Sequence, residues 1–167
     1  KTIGIIGMGR LGKITAKIAK GFGCNVIFYD PFVYKPKNEK KTLNIVAKIA
    51  DYIFIHVHLK KETESLINYK FLKLVKKDCI IINTSRAKII NENDLIRFLK
   101  KNKKAGYGAD IIDGEWSTKK NLLKNRLIVA SKKNKNIFIT PHIGGSTVES
   151  ISIIRNDALK KVLRSKI

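Results

Sequence analysis

Cysteine, proline and acidic residues are all scarce in this sequence, and it contains no long hydrophobic run. Its two cysteines, Cys24 and Cys79, lie far apart and form no CxxC pair, which excludes a disulfide scaffold and favours two thiols in a reducing cytoplasm. The longest apolar runs are far shorter than the roughly 20 residues that cross a bilayer. No signal or transit peptide is visible. We therefore expect a cytoplasmic protein with no membrane partner.

The shortage of acidic residues makes the chain strongly basic. There are 13 Asp and Glu against 35 Lys and Arg, for a formal net charge of +22 at pH 7. Such an excess is typical of nucleic-acid-binding proteins, but the lysines are scattered through every segment and form no basic run interleaved with aromatic residues. Scattered lysine indicates a solvated surface. Nucleic-acid binding is therefore the less favoured alternative, and we expect no nucleic-acid partner and no bound metal.

Short apolar runs alternate with longer segments of helical periodicity along the 167 residues. A chain of this length with 44% hydrophobic residues can bury the core of one domain. Continuous apolar runs without alternation are typical of strands buried on both faces of a parallel sheet. The pattern predicts a single α/β domain with a Rossmann-type, doubly wound parallel sheet. The six predicted strands are Thr2–Ile6, Asn25–Tyr29, Tyr52–Val57, Cys79–Asn83, Gly106–Ile111 and Ile137–Thr140.

Five helices are predicted between and after these strands. The first carries an apolar stripe at i, i+3, i+7 and i+11, with lysines on its other side, and is therefore amphipathic. Asn91 is the predicted cap of the fourth helix, with Asp94 in its first turn. The stripe of the first helix is Leu11, Ile14, Ile18 and Phe22, and the other predicted helices are Leu43–Ala50, Leu66–Val75, the segment after Asn91, and Thr147–Leu163.

A glycine-rich turn, GMGRLG, follows the first strand and opens the first helix. In this context Gly7 permits the tight turn, Gly9 leaves room for a pyrophosphate, and Gly12 lets the helix pack closely on the strand. The phosphates of a dinucleotide then meet the free amides and the positive end of the helix. Arg10 and Leu11 supply some of these amides. The turn therefore predicts a dinucleotide-binding site.

Asp30 ends the second strand, at the distance past Gly12 where this class of fold places an acidic residue. A carboxylate at this position accepts hydrogen bonds from both ribose hydroxyls of the adenosine half and repels a 2′-phosphate. NAD is therefore favoured over NADP as the cofactor. Lys35 and Lys37 follow in the next loop and would soften that repulsion, so tolerance of NADP stays open.

Four blocks of sequence, in this order, resemble the nucleotide-binding domain of the D-isomer-specific 2-hydroxyacid dehydrogenases, the phosphoglycerate dehydrogenase-like family. The resemblance covers nearly the whole chain. The blocks are GMGRLG with Asp30, DYIFIHVHLKKETESLIN from Asp51 to Asn68, INTSRAKIINENDL from Ile82 to Leu95, and GADIIDGEW followed by TPHIGGSTVES.

The resemblance implies hydride exchange between NAD(H) and the CH–OH or C=O carbon of a D-2-hydroxy acid or 2-oxo acid. It assigns the catalytic roles to Arg86, Glu115 and His142. His142 is the implied general acid and base, since imidazole exchanges protons near neutral pH. Glu115 orients its ring, and Arg86 binds the substrate carboxylate. The implied cofactor contacts also include His56, Thr84, Ser85, Arg86, Asp110, His142, Gly144 and Gly145.

The sequence departs from the family pattern at several places. Ala87 replaces the usual glycine, Trp116 replaces the usual proline, and the interval between Glu115 and His142 is somewhat long. No substrate-binding domain precedes the glycine-rich turn, and the chain begins with Lys1 rather than Met. We therefore expect residues 1–167 to be the NAD-binding domain of a longer protein, inactive alone.

The family also implies a homodimer, and it leaves one alternative function open. Some relatives are co-repressors, which suggests a non-catalytic NAD-sensing or scaffold protein. A complete set of Arg86, Glu115 and His142 argues against that alternative, because a pure sensor does not need all three.

Overall fold

The centre of the structure, a computed structural model that describes residues 1–36 and 38–164, is one six-stranded sheet. All five strand pairs are parallel. The α/β fold predicted from the sequence is therefore confirmed. The strands are β1 (Thr2–Ile6), β2 (Asn25–Tyr29), β3 (Tyr52–Ile55), β4 (Ile80–Asn83), β5 (Gly106–Ala109) and β6 (Ile137–Ile139).

The strand order is β2-β1-β3-β4-β5-β6. The chain leaves β1 toward β2 on one side and returns to β3 on the other, so the order reverses between β1 and β3. In register, Ile6 at the end of β1 lies opposite Tyr29 of β2 and Ile55 of β3. In open parallel sheets a ligand crevice lies outside the carboxyl ends of the strands at this reversal. The topology therefore places the crevice directly beyond Ile6.

Seven helices flank or follow the sheet in the described part of the chain. Two of them, α5 and α6, lie between Glu115 and His142 and were not predicted, because each is shorter than two turns and cannot show a helical period. Together with β6 they account for the long interval between those two residues. The helices are α1 (Arg10–Gly21), α2 (Leu43–Ile49), α3 (Tyr69–Leu72), α4 (Glu92–Lys101), α5 (Lys119–Leu122), α6 (Arg126–Ser131) and α7 (Val148–Arg164).

The helix predicted over Leu66–Val75 is a single turn, α3. Ile67 is not helical, because its backbone groups bond outside the helix. Its amide donates to the Ile89 carbonyl, and its carbonyl accepts from the Asn91 amide. Asn68 then caps α3, accepting from the amides of the second and third residues after it. Tertiary hydrogen bonds have overridden the helical pattern at this point.

The two faces of the sheet are covered unequally. Helices α2, α3, α4 and α6 pack one face and bury its main core, whereas α1 covers only the part of the other face formed by β1 and β2. On that second face Ile80 and Ile82 of β4 are half-buried, and Phe138 of β6 is 70% exposed. The expectation that the strands are buried on both faces is therefore wrong for β4 to β6.

Helix α1 forms where the sequence predicts it, but with a different buried side. The buried residues are Gly12, Ala16 and Ala19, and the predicted apolar stripe from Leu11 to Phe22 is exposed. Small residues on the inner side let the helix axis approach β1 closely at the glycine-rich turn. The large apolar side chains of α1 therefore point away from the sheet. In α7 no residue is buried.

Candidate functional site

The predicted site residues gather along one edge of the sheet. Parallel strands end at the same edge, so the residues that directly follow them become neighbours although they are far apart in sequence. Gly9, Arg10, Leu11 and Gly12 lie at the start of α1, and Glu115, Gly144 and Gly145 lie farther along their loops. The residues at the strand ends are Gly7 after β1, Asp30 after β2, His56 after β3, Thr84 to Arg86 after β4, Asp110 after β5, and Thr140 to His142 after β6.

The glycine-rich turn brings backbone against backbone at two points. Gly7 has φ +97°, a conformation that side chains disfavour, and a Cβ on it would lie 2.8 Å from the His56 carbonyl. A Cβ on Gly12 would lie only 2.1 Å from the Gly7 oxygen. By contrast, a Cβ on Gly9 would meet nothing within 4 Å. The turn is therefore closed toward the sheet and open in front of α1.

The open space in front of Gly9 fits a pyrophosphate. Gly9 is the N-cap of α1 and has no side chain to satisfy the first-turn amides, which in any α-helix lack intrahelical acceptors. Arg10 and Leu11 are exposed at this end. The free amides and the positive end of the helix dipole form an anion-binding position of the kind that holds dinucleotide phosphates.

Asp30 connects the glycine-rich turn with the loop after β2. Its Oδ2 accepts from the Met8 amide at 2.8 Å, and its Oδ1 accepts from the Phe32 amide at 2.8 Å. A carboxylate has about four acceptor positions, so each oxygen keeps capacity for a ribose hydroxyl. Lys35 lies in the following loop, and Lys37 lies outside the described residues.

His56 lies between β3 and α1, beside the glycine-rich turn. Its Nε2 is 2.9 Å from Thr15 Oγ1, and its ring stacks on Phe54 at a centroid distance of 6.3 Å. Burial lowers the pKa of His56, which keeps the ring neutral at pH 7. Among the described residues its buried Nδ1 has no hydrogen-bond partner. This geometry suits a residue that supports the turn from behind.

The turn after β4 is organised by Asn83, which is fully buried. Its Nδ2 donates to the Arg86 carbonyl, and its Oδ1 accepts from the Ser85 amide, both at 3.0 Å. Ser85 Oγ donates to the Val57 carbonyl and so ties this turn to the segment after β3. Thr84 and Arg86 are exposed at the edge of the sheet.

Arg86 has its backbone carbonyl fixed by Asn83, and its guanidinium contacts only a neighbouring backbone carbonyl among the described residues. Its Nη1 donates to the Ser85 carbonyl at 2.7 Å. Within the described parts of the chain, no hydrogen bond or ion pair joins Arg86 to Glu115 or His142. The structure thus brings Arg86 to the same edge as these two residues without direct contact.

Asp110 links β5 to the loop after β6. Its Oδ1 accepts from the Ile143 amide at 3.0 Å and from the Thr140 hydroxyl, and its Oδ2 accepts from the Gly144 amide at 2.8 Å. Burial alone would raise the pKa of Asp110, but the hydrogen bonds from Thr140, Gly144 and Ile143, with a smaller contribution from His142, outweigh it and lower the pKa. Asp110 is therefore ionised at neutral pH and holds the loop that carries His142.

His142 and Glu115 form a direct pair. His142 Nδ1 lies 2.9 Å from Glu115 Oε1, with side chains 41% and 21% exposed. The His142 backbone has φ +54°, an unusual conformation for a residue with a side chain, and its amide donates to the Thr140 carbonyl at 3.0 Å. With Nδ1 bonded to a carboxylate, Nε2 is left for a proton exchanged with a substrate.

Three polar residues that support this arrangement were not identified from the sequence. They are Asn83, which shapes the turn after β4, Thr140, which binds Asp110, and Thr15, which binds His56. Asn83 and Thr140 could have been identified, because each is a polar residue at the end of an otherwise apolar predicted strand. Thr15 gave no such signal, because a threonine within a helix is ordinarily a surface residue.

Cavity size alone does not locate this site. A groove of about 610 Å³ lies beside the N-terminus of α4, and its lining includes Glu92 and Asn125 but none of the predicted site residues. In the described ranges, no group of three or more His, Cys, Asp or Glu side chains is placed to hold a metal ion. Among the helices of that same part of the chain, none is long and apolar enough to cross a membrane.

Known proteins resemble this chain over most of its length. It is 39% identical over 156 residues to a glyoxylate reductase of Thermococcus litoralis, an alignment that covers 90% of this chain and 44% of the relative. It is 35% identical over 176 residues to a D-3-phosphoglycerate dehydrogenase of Methanocaldococcus jannaschii, covering 100% of this chain and 32% of the relative. The chain therefore spans less than half the length of these curated relatives.

Solved structures show the same likeness. A D-lactate dehydrogenase from Aquifex aeolicus, solved with NAD and lactic acid, superimposes with a TM-score of 0.84 at 32% identity, covering 96% of this chain and 52% of that one. Residues 1–144 match the family described as D-isomer specific 2-hydroxyacid dehydrogenase, NAD binding domain. The chain thus belongs to the D-isomer specific 2-hydroxyacid dehydrogenase family, as an NAD-binding domain whose cofactor is NAD.

Proposed function

We propose that this domain serves the NAD(H)-dependent interconversion of a D-2-hydroxy acid and its 2-oxo acid. The observation that carries the proposal is the 2.9 Å contact between His142 Nδ1 and Glu115 Oε1, on the same sheet edge as the glycine-rich turn. The names of the relatives, a glyoxylate reductase, a phosphoglycerate dehydrogenase and a lactate dehydrogenase, support this class of reaction.

In this proposal His142 is the general acid and base. Oxidation of the hydroxy acid removes a proton from the hydroxyl oxygen and a hydride from the carbon that bears this hydroxyl. The proton goes to His142 Nε2, while the Glu115 carboxylate accepts from Nδ1–H and keeps the ring in the tautomer that leaves Nε2 free. Bound NAD supplies the hydride acceptor, so the products are the 2-oxo acid, NADH and one proton. General acid-base assistance of this kind contributes roughly 10²–10⁴ in rate.

Arg86 is the proposed anchor of the substrate carboxylate. A guanidinium is planar and permanently charged, and it binds a carboxylate through two parallel hydrogen bonds. Its exposed position and its single contact to the Ser85 carbonyl leave other N–H groups available. Because Asn83 fixes the backbone carbonyl of Arg86, the side chain can turn toward a substrate without moving the turn after β4.

The proposed cofactor contacts follow the edge of the sheet. The pyrophosphate is assigned to the first turn of α1 and the adenosine ribose to Asp30. Asp110 and the loop it holds are assigned to the nicotinamide side, beside His142. The complete proposed set, whose members either contact the cofactor or shape its site, is Gly7, Gly9, Arg10, Leu11, Gly12, Asp30, His56, Thr84, Ser85, Arg86, Asp110, His142, Gly144 and Gly145.

The catalytic unit is proposed to be larger than this chain. Residues 1–167 are assigned as the NAD-binding domain, and a substrate-binding domain outside it would supply the opposite wall of the active site. This assignment agrees with the 44% and 52% of two relatives that the chain covers. The domain alone is expected to bind NAD(H) without turning over substrate.

A homodimer and a cytoplasmic location complete the proposal. The exposed apolar stripe of α1, from Leu11 to Phe22, supports association between copies. The free thiols of Cys24 and Cys79 suit a reducing compartment. Sedimentation of the purified protein at micromolar concentration checks the first point, since a monomer would contradict it. Localisation of a tagged protein in cells checks the second, which an exported protein would contradict.

The alternative of a non-catalytic NAD sensor gains no support. The relatives described above are named as reductases and dehydrogenases. The chain also keeps Arg86, Glu115 and His142 together at one edge, a set that binding NAD alone does not require.

Two measurements test the proposal. Isothermal titration of the 167-residue chain with NADH should show binding, and a folded sample that binds none at about millimolar NADH would contradict the cofactor site. In the full-length protein, His142→Gln should lower kcat/KM for 2-oxo acids by roughly 10²–10⁴, a much larger loss than any accompanying change in NADH affinity. An undiminished rate in this variant would exclude His142 as the acid and base.

A further inference from the structure

Trp116 is exposed directly beside the proposed proton-transfer pair. It follows Glu115 in sequence, its side chain is 88% exposed, and its ring centroid lies 6.0 Å from that of His142. Large aromatic side chains exposed to water at a reactive site usually mark a binding surface, because their burial removes a large apolar area from water. It is also the only tryptophan in the chain.

An apolar cavity lies between Trp116 and the sheet. Its volume is about 260 Å³, and Trp116, Glu115 and His142 form part of its lining. This volume is smaller than the roughly 300–1,000 Å³ of pockets that hold whole small-molecule ligands. It suits one side chain of a ligand. The remaining apolar lining comes from Ile112, Leu122, Ile128, Ile139 and Pro141.

The charges around the cavity restrict what can enter it. Among the described side chains, the only ionisable ones in its lining are Glu115 and His142, which are paired with each other. A phosphorylated or carboxylated side chain would meet the Glu115 carboxylate and would find no lysine or arginine in that described lining. An uncharged apolar side chain meets no such penalty, because burial of apolar area is favourable.

We propose that Trp116 and this cavity form the pocket for the substrate side chain, and that the enzyme prefers 2-oxo acids with an uncharged, branched or aromatic side chain. The inference rests on the proposed function, since it places the reacting carbon beside His142. It predicts that glyoxylate, which has no side chain, and phosphorylated 2-oxo acids are poor substrates. Each methylene that a fitting pocket accepts is worth roughly ten-fold or more in kcat/KM.

The first test measures substrate preference in the full-length protein. The ratio of kcat/KM for 2-oxo-4-methylpentanoate to that for glyoxylate should exceed roughly ten-fold. Trp116→Ala should lower this ratio by about ten-fold or more, mainly through KM, because an apolar wall stabilises substrate and transition state alike. Trp116→Phe should keep most of the preference.

Phe138→Ala is the matched control. Phe138 is another exposed aromatic residue, shortly before His142 in the chain, and it does not line the cavity. This variant should leave the ratio unchanged. A higher kcat/KM for glyoxylate or a phosphorylated acid in the wild-type protein, or an unchanged ratio in Trp116→Ala, overturns the inference. If the ratio is unchanged in Trp116→Ala but His142→Gln loses activity, only the pocket is overturned and the proposed function stands. If the wild-type protein is inactive on every 2-oxo acid, the proposed function itself is overturned.

The second test examines the contact in the 167-residue chain. Trp116 is the only tryptophan, and an imidazole close to an indole quenches its fluorescence. His142→Gln should therefore change the emission intensity of Trp116. An emission that this substitution leaves unchanged would place the two rings apart and overturn the pocket geometry.

Discussion

Asp110 illustrates how one side chain connects two parts of the site. Its carboxylate binds the Thr140 hydroxyl and the amides of Ile143 and Gly144, and these residues flank His142. The space is tight, since a Cβ on Gly144 would lie 2.9 Å from Asp110 Oδ2. The orientation of His142 therefore depends on a residue that directly follows β5 as well as on its pair with Glu115.

We predict that Asp110→Asn disturbs the loop that carries His142. The amide group places an N–H against one of the two backbone donors, and a buried donor left unsatisfied costs about 1–3 kcal/mol. A shift of His142 by about 1 Å should lower kcat/KM of the full-length protein roughly hundred-fold. Steady-state kinetics measure this, and hydrogen exchange of residues 143–144 in the isolated chain should accelerate.

Asp78→Asn provides the control for this prediction, because Asp78 is an exposed aspartate away from the edge of the sheet that carries the site. It should leave both the kinetics and the exchange rates unchanged. Equal effects of the two substitutions would show that Asp110 acts through net charge and not through its hydrogen bonds.

At the residue level, the glycines and Asp30 could be singled out because their spacing after a strand has a physical meaning of its own. The close backbone approach at Gly7 and Gly12 agrees with that spacing. The pair of His142 with Glu115 followed only from the family resemblance, because a long stretch of chain with two unrecognised helices separates them. Asn83 and Thr140 were missed, since their importance lies in tertiary hydrogen bonds.

At the junction of β1 and α1, two glycines of the same sequence motif have different structural roles. At Gly12 the backbone oxygen of Gly7 occupies the place of a side chain, whereas in front of Gly9 the space is open. Gly12 is therefore required by the fold, whereas Gly9 leaves open the space proposed for the ligand.

We predict opposite outcomes for two alanine substitutions in this turn. Gly12→Ala should lower the melting temperature of the chain by several degrees or prevent folding, because its Cβ would lie 2.1 Å from the Gly7 oxygen. Gly9→Ala should leave the melting temperature nearly unchanged and weaken NADH binding by about ten-fold or more, because a side chain would enter the space for the pyrophosphate. Calorimetry and titration measure the two effects.

Gly21→Ala is the control for both substitutions, because a Cβ at this last position of α1 meets nothing within 4 Å. It should retain NADH binding and should not be less stable than the parent. If Gly9→Ala bound NADH like the parent, the pyrophosphate could not lie in front of α1.

Asp51 connects three elements at the opposite edge of the sheet. Its Oδ1 accepts from Lys76 Nζ at 2.8 Å, and its Oδ2 accepts from the Thr2 amide at 2.7 Å, so it joins the starts of β1 and β3 to the segment before β4. The hydrogen bond from Lys76, followed by that from the Thr2 amide, lowers the pKa of Asp51.

The lowered pKa of Asp51 predicts a pH-dependent contribution to stability. Because the folded value lies below the unfolded one, the contribution is complete above about pH 4 and disappears as the pH falls through the folded pKa. Asp51→Asn should therefore cost about 1 kcal/mol at pH 7, and the difference should shrink as the pH falls below about 4. Urea unfolding at several pH values measures it, and a constant difference would contradict the assignment.

At the level of elements, strand positions were predicted well and helix environments less so. Both β1 and β2 have their predicted bounds, because a short run of β-branched and aromatic residues between turn signals leaves little choice. The buried side of α1 was mistaken, since apolar periodicity shows that a stripe exists but not what it faces. The shortening of α3 followed from hydrogen bonds to residues 89 and 91, which no local pattern reveals.

The charge of the whole molecule remains its most unusual global property. With a net charge of +22, mutual repulsion among lysines destabilises the compact state, and the described chain contains only three lysine–carboxylate ion pairs. Salt screens such repulsion within a Debye length of about 10 Å at 0.1 M.

We predict that the isolated chain becomes more stable as salt is added. Its melting temperature should rise by several degrees between about 0.02 M and 0.5 M sodium chloride, because screening weakens repulsion more than it weakens a few surface pairs. Differential scanning fluorimetry measures this, with an equal osmolality of sorbitol as the control. A melting temperature that falls with salt would show that attractive ion pairs dominate.

The all-parallel sheet also determines when the two halves of the site form. No strand pair in residues 1–36 and 38–164 is a hairpin, so each pairing must close a long loop, which makes folding slow. In a chain made from its N-terminus, the glycine-rich turn and Asp30 can assemble from β1, α1 and β2 alone, whereas His142 reaches Glu115 only after β6 docks on β5. The residues proposed for the nucleotide can therefore come together earlier during synthesis than those proposed for the chemistry.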